Sequence, residues 1–301
     1  MPAAGASLWE RFWAFAFYQH ALLAGVMVAL ACAVLSVFVV HRRMAFIGEG
    51  ISHAAFGGIS IALLLELVFP SLRHPLLRQG IVAVFCVGTA ILMGRIGRQR
   101  RVGTDSAIGI ALVVAMALGV ILLDLRAEWV RSLAEHGSVT GRGALYTPSF
   151  HDLLFGNILS ITRGETILAG VVSAAVLGWV ALSLRGLVFY TADEEAAVTF
   201  GLPVAWLRNG LLVALGVMIV VAMRLLGVIL VSAFLILPGT IANFWSRRIG
   251  HVLWVAMASA TLSVVLGLIL AMQLEVLSTG PVIVVVLALL LIVSWTLRAR
   301  R

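Results

Sequence analysis

The chain is 301 residues long, 62% hydrophobic and only 11% charged, whereas soluble domains carry about a quarter charged residues; a soluble fold is excluded. A mean hydropathy of +1.13 places most of the chain in lipid, and nine helices of about 20 residues would use roughly 180 residues. The net charge of +8 rests on 21 basic residues, all arginine, which stand in clusters between apolar runs, the distribution of membrane-topology signals and not of a nucleic-acid face.

Residues 1–20 form a leader whose Trp9, Phe12, Trp13 and Phe17 suit an interfacial belt along the outer leaflet. The run 21–40 carries no charge and, at about 1.5 Å per residue, crosses a roughly 30 Å hydrocarbon core. It has no basic lead-in, so no cleavable signal peptide is expected. Eight further spans are predicted at 53–69, 80–94, 106–123, 166–184, 210–223, 225–245, 251–274 and 282–297. The stretch 210–245 is too long for one crossing and is divided at Arg224, which interrupts it. The reading is a single all-α, polytopic transmembrane domain over residues 1–301. Cys32 and Cys86 fall inside apolar runs, which gives a disulfide framework no support.

Two segments stand apart from the spans and short loops. The first, 124–165, is a long connection in which Trp129 and Leu133, four residues apart within RAEWVRSLAE, suggest a short surface helix. Its Arg126, Arg131 and Arg142 are candidates to pair with acidic residues of a docking protein, or equally with lipid phosphate. The second, 185–209, contains DEEAAVTFGLP, which reads as a short helix, a turn and a second helix start. It is either a solvated acidic cap or a docking helix for a partner.

The arginines set the orientation, since cytoplasmic loops carry the basic excess. With the N-terminus outside and the C-terminus in the cytoplasm, the inner segments hold thirteen of the 21 arginines, and 124–165 lies outside.

Ionisable residues at membrane depth are costly and mark function. In GEGISHAAFGG, Glu49 and His53 are four residues apart and share a helix face, and carboxylate with imidazole suits zinc, manganese or ferrous iron. Two ligands do not hold a metal alone; two copies about a twofold axis would supply four. The alternative places Glu49 at the interface beside Arg42 and Arg43, with His53 bonded to a carbonyl. Gly48, Gly50, Gly57 and Gly58 suit either close helix packing or a bent entry to the span. No HExxH is present, and without lysine no phosphate loop ending in Lys is possible. Energy must come from a gradient or from a partner that hydrolyses nucleotide.

The run VFVVHRRMAFIGEGISHAAFGG resembles the first characteristic stretch of the permease subunits of ATP-binding-cassette importers for zinc, manganese and iron. LLFGNIL at 153–159, DEEAAVTFG with Asp193, Glu195, Ala197 and Gly201, and VVAMRLLGVILVSAFLILPGTIA, which contains Pro238, are similar to its later blocks, in order. Glu49 stands where the family usually has Asp, and Asn157 replaces a frequent Asp. The resemblance implies an architecture like the cobalamin and siderophore permeases. It also implies a homodimer, or a pair with a paralogous permease, with the metal path on the dimer axis. Two cytoplasmic ATPase subunits would lie beneath and an extracytoplasmic metal-binding protein above. Residues 185–209 would then be the coupling segment, and the chain itself would be no enzyme and hold no permanent cofactor. The competing reading is a gradient-driven secondary metal carrier, for which Glu66, deep in an apolar run, is the remaining acid.

Overall fold

The computed structural model describes residues 16–97, 103–135, 161–274 and 279–299. They form ten α-helices: α1 (Ala16–His41), α2 (Ile47–Val68), α3 (Pro75–Ile96), α4 (Thr104–Glu135), α5 (Arg163–Ala192), α6 (Glu194–Thr199), α7 (Val204–Leu226), α8 (Val228–Trp245), α9 (Ile249–Leu274) and α10 (Thr279–Ala299), with a 3₁₀ turn at Pro70–Arg73. All but α6 are long and apolar enough to span a membrane, nine among the described residues. Most of the leader, residues 1–15, lies outside them, as do Arg142 and the LLFGNIL block.

Helix α1 is the most buried span, packed by α5, α7, α8 and α9. Lipid tails are as apolar as its side chains, so association depends on close van der Waals packing. Ala21, Ala24, Ala29, Ala31 and Ala33 are fully buried and admit neighbours from several directions. The closest approach is at Gly239 of α8, where an added Cβ would stand 2.7 Å from the Ser36 carbonyl oxygen. The preceding Pro238 sits inside α8.

Several boundaries differ from those predicted: α2, α3 and α7 begin five or six residues earlier, and three other differences have a plain physical reason. Helix α4 does not stop at residue 123 but continues to Glu135, so the expected separate surface helix is its last turns; no Gly or Pro interrupts that stretch, and Leu, Arg, Ala and Glu favour helix. Helix α5 likewise overruns residue 184 to Ala192. The seventh and eighth helices part at Gly227 and not at Arg224: Gly227 has φ 80°, a conformation open to glycine and strained for other residues. Arg224 remains helical in the last turn of α7.

Ion pairs sort the helix ends into two groups. Arg42 at the end of α1 pairs with Glu194 of α6, and Arg208 near the start of α7 stands 3.6 Å from the same carboxylate. At the opposite end, Arg78 of α3 binds Glu66 of α2 through both carboxylate oxygens, one contact at 3.0 Å, and Arg224 of α7 binds Glu165 of α5 at 2.7 Å. Helices α2 and α4 run parallel in constant stagger. A Cβ on Gly50 would lie 2.8 Å from Ile108 Cγ2, and one on Gly57 would lie 2.9 Å from the Ala115 carbonyl oxygen. The glycines of α2 are thus a helix interface.

Candidate metal path and coupling segment

Helix α2 opens without a side-chain cap, its entry made by Met44 and Phe46, whose carbonyls accept from Ile47 and Gly50 at 2.9 and 3.0 Å. One turn in, Glu49 and His53 meet, with His53 Nε2 2.8 Å from Glu49 Oε1. Neither is sealed: their side chains are 38% and 22% exposed, so a polar pair faces outward from the chain between buried neighbours Ser52 and Ala54. Ser232 of α8 lies near the same carboxylate, its hydroxyl donating to Val228 O at 3.1 Å. A Cβ on the adjoining Gly48 would meet Leu235 of α8 at 2.8 Å, and Leu235 stands near the middle of Val228–Trp245. The pair therefore lies opposite the middle of α8, well inside the bundle's length.

Chemically, this is one carboxylate and one imidazole on one face, a donor set that suits borderline divalent metals. Among the described residues, no group of three or more His, Cys, Asp or Glu comes together. The pair alone supplies two donors, fewer than a metal's usual coordination shell. Ser232 was not anticipated; its signal in the sequence is faint, a lone hydroxyl in an apolar span.

From Asp193 the chain folds as read from DEEAAVTFGLP, into short helix, turn and helix start, whereas residues 185–192 of the expected segment complete α5. Asp193 caps α6 by accepting from Ala196 N at 2.9 Å, and Glu194 and Glu195 occupy the first turn. Anionic side chains there complement the helix dipole. Ala197 is fully buried and anchors α6 to the core. Gly201 N donates to Val198 O and Leu202 N to Ala197 O at 2.9 and 3.0 Å, a Schellman stop that requires the left-handed φ of 75° found at Gly201. Arg42, Arg208 and Tyr190, absent from the predicted site, join this region: the Arg42 guanidinium lies 4.4 Å from the Tyr190 ring centroid.

Of the proposed docking arginines, Arg131 is exposed. Arg126 is not presented at the surface: it is 6% exposed and lies within the electrostatic reach of Glu66 and Arg78. Its place on α4 turns it inward, as the uninterrupted helix dictates. Glu66 in turn is bound to Arg78 near the end of α2 and is not an isolated acid in an apolar run.

Nine spanning helices among the described residues, four of them packed on the buried first helix, define a multi-pass membrane protein. More particularly, the chain belongs to the ABC 3 transport family (ABC-3), whose profile matches residues 14–298. It is 31% identical over 289 residues to the chelated iron transport system membrane protein YfeD of Yersinia pestis, covering 96% of this chain and 88% of that one. It is 29% identical over 276 residues to the manganese transport system membrane protein MntC of Halalkalibacterium halodurans, covering 92% and 86%. Among solved structures, PsaBC from Streptococcus pneumoniae in complex with Fab superposes with a TM-score of 0.75 at 26% identity, covering 96% of this chain and 94% of that one.

Proposed function

We propose that this chain is the permease subunit of an ATP-driven importer that moves divalent transition metal ions, zinc, manganese or iron, into the cytoplasm. The observation that carries the reading is the Glu49 and His53 pair, hydrogen-bonded, partly exposed and set opposite the middle of α8. Relatives named for manganese and iron transport support it. A second permease, an identical copy or a paralogue, supplies the other half of the shell across a shared axis. The cargo then passes a transient site of carboxylates and imidazoles that captures and releases more readily than thiolates would.

In this reading the α6 end faces the cytoplasm and the N-terminus lies outside. Two ATPase subunits receive α6 through Asp193, Glu195, Ala197 and Gly201, and all hydrolysis belongs to them. An extracytoplasmic metal-binding protein docks at the opposite end, with Arg131 and Arg142 as steering charges. Changing both to Glu is expected to weaken that docking most at low ionic strength.

A gradient-driven carrier fits less well, because Glu66, Glu165 and Glu194 are engaged by Arg78, Arg224 and Arg42 and are not available as proton or cation relays. The deciding experiment is uptake of radiolabelled manganese(II) and zinc(II) by proteoliposomes holding the chain with its copurified ATPase and binding protein. ATP-dependent uptake is expected. Uptake driven by a proton or sodium gradient without ATP would reverse the conclusion.

A further inference from the structure

Resting on the import reading, we propose that Arg42 is the positioning residue that links the coupling helix α6 to the Glu49 and His53 pair, with Glu194 as the element that switches. Arg42 follows the last residue of α1 and reaches α5 and α6 together. One terminal nitrogen is ion-paired to Glu194 and the other stands 3.4 Å from the Tyr190 carbonyl oxygen, with the guanidinium over the Tyr190 ring. Arginine's planar fork makes ion pair, hydrogen bond and stacking possible at once.

Between Arg42 and α2 the chain has little slack. Arg43 N donates to Val40 O at 3.1 Å and Met44 N to Val39 O at 3.0 Å. This is the same Schellman stop that ends α6, here with an arginine at φ 54° where glycine is usual. Met44 O then accepts from Ile47 N at 2.9 Å, the first residue of α2. A displacement of Arg42 is therefore passed through hydrogen-bonded backbone to the turn of α2 that bears Glu49. The left-handed conformation at Arg43, uncommon for a residue with a side chain, fixes the direction in which the chain leaves α1 for α2.

Glu194 is shared. Its other oxygen stands 3.6 Å from Arg208 Nη1 of α7, so one carboxylate answers two arginines on two helices. A purely structural tie requires one. Sharing creates two discrete arrangements, Glu194 held mainly by Arg42 or mainly by Arg208, and movement of α6 selects between them. The side chains of Arg42, Glu194 and Arg208 are 23%, 29% and 15% exposed, so all three reach water and neither arginine depends on Glu194 alone.

The test uses the assembled complex in proteoliposomes with binding protein, and reads manganese(II) transported per ATP hydrolysed. Arg42→Gln is expected to assemble and hydrolyse ATP but to lower that ratio by about tenfold or more, within the range of ordinary coupling energies. Arg42→Lys, which keeps the charge and loses the fork, is expected to recover part of it. A merely structural role would lower uptake and hydrolysis together and leave the ratio alone. Glu194→Gln is expected to reproduce the Arg42→Gln ratio, and decides the matter if Arg42→Gln fails to assemble. An unaltered ratio in Glu194→Gln, or in an assembled Arg42→Gln, overturns the link while leaving the import reading intact. Absence of ATP-dependent uptake by the unsubstituted complex overturns both.

Discussion

Glu49 and His53 engage each other, Oε1 to Nε2 at 2.8 Å, on consecutive turns of α2. Within the pair, Nε2–H donates and the carboxylate accepts, so each satisfies a polar group that α2 would otherwise set at membrane depth. A cation that takes Nε2 displaces this bond and gains the carboxylate in exchange, which keeps binding reversible. His53→Ala is expected to abolish metal uptake while the chain still copurifies with its partners, since a ligand is lost and packing is not. Glu49→Gln keeps shape but removes the charge, and is expected to lose most uptake. Glu49→Asp is expected to retain transport with an altered preference between manganese(II) and zinc(II). Competition uptake assays on the three variants check this; normal uptake by His53→Ala would remove the pair from the path.

Gly201 separates two explanations of its own role. Nothing stands within 4 Å of a Cβ added there, but φ is +75°, so backbone conformation and not crowding within the chain makes glycine the fitting residue. A β-branched residue in that region is strained, with L-residues costing roughly 1–2 kcal/mol, while Asn enters it more readily. Gly201→Val is expected to lower copurification of the ATPase or the metal moved per ATP, and Gly201→Asn to do so much less. Equal damage by both would point to the missing side-chain volume, an intimate contact with a partner, as the reason for glycine.

The first span was legible because twenty uncharged apolar residues are long enough to cross a bilayer; its central place was not, since lipid and bundle interior are equally apolar. The short helix α6 was legible too: Asp193, the acids after it and Gly201 are start and stop signals that act locally, and α6 obeys them. Long-range pairings were not. Glu66 and Arg78 meet across 12 residues around the turn at Pro70–Arg73, and neither periodicity nor composition encodes that turn's direction. Arg224 was read as a break because a charge in an apolar run is costly, yet Glu165 at 2.7 Å removes the cost and the break falls at Gly227. Several arginines of the end opposite α6 therefore serve as partners for α2 and α5 acids. The basic-excess rule counts them as exceptions because it does not see the pairing.

Sidedness follows from the same ion pairs once one end is assigned. Gly103, just before α4, belongs to the α6 end, and Arg131 lies near the opposite end of α4. In a background lacking Cys32 and Cys86, single cysteines at Gly103 and Arg131 are expected to react with impermeant thiol reagent from opposite faces, Arg131→Cys from outside the cell. Labelling of both from one face is incompatible with α4 as a spanning helix.

The parallel pair α2 and α4 yields a prediction about which glycines matter and how each can be compensated. At Gly57 the atom in the way of a Cβ is the Ala115 carbonyl oxygen, 2.9 Å off and fixed in a helix. At Gly50 the obstacles are Ile108 Cγ2 and Met93 Cε, side-chain atoms at 2.8 and 2.9 Å. Overpacking costs about 1–3 kcal/mol, so both Gly57→Ala and Gly50→Ala are expected to lower the thermal midpoint of the detergent-solubilised chain. Gly178→Ala, where nothing stands within 4 Å, is expected to be neutral or slightly stabilising, since alanine is the better helix former. Trimming separates the two sites. Ile108→Ala removes the obstructing Cγ2 while leaving the backbone in place, and is expected to relieve Gly50→Ala in a double-mutant cycle. Ala115→Gly leaves the carbonyl where it was and is expected not to relieve Gly57→Ala. Because α2 carries Glu49 and His53, a separation of α2 from α4 at Gly57 also shifts the pair, and Gly57→Ala is expected to lower metal uptake per assembled complex as well as stability. Relief of Gly57→Ala by Ala115→Gly would mean that side chains and not backbones set the spacing of these helices.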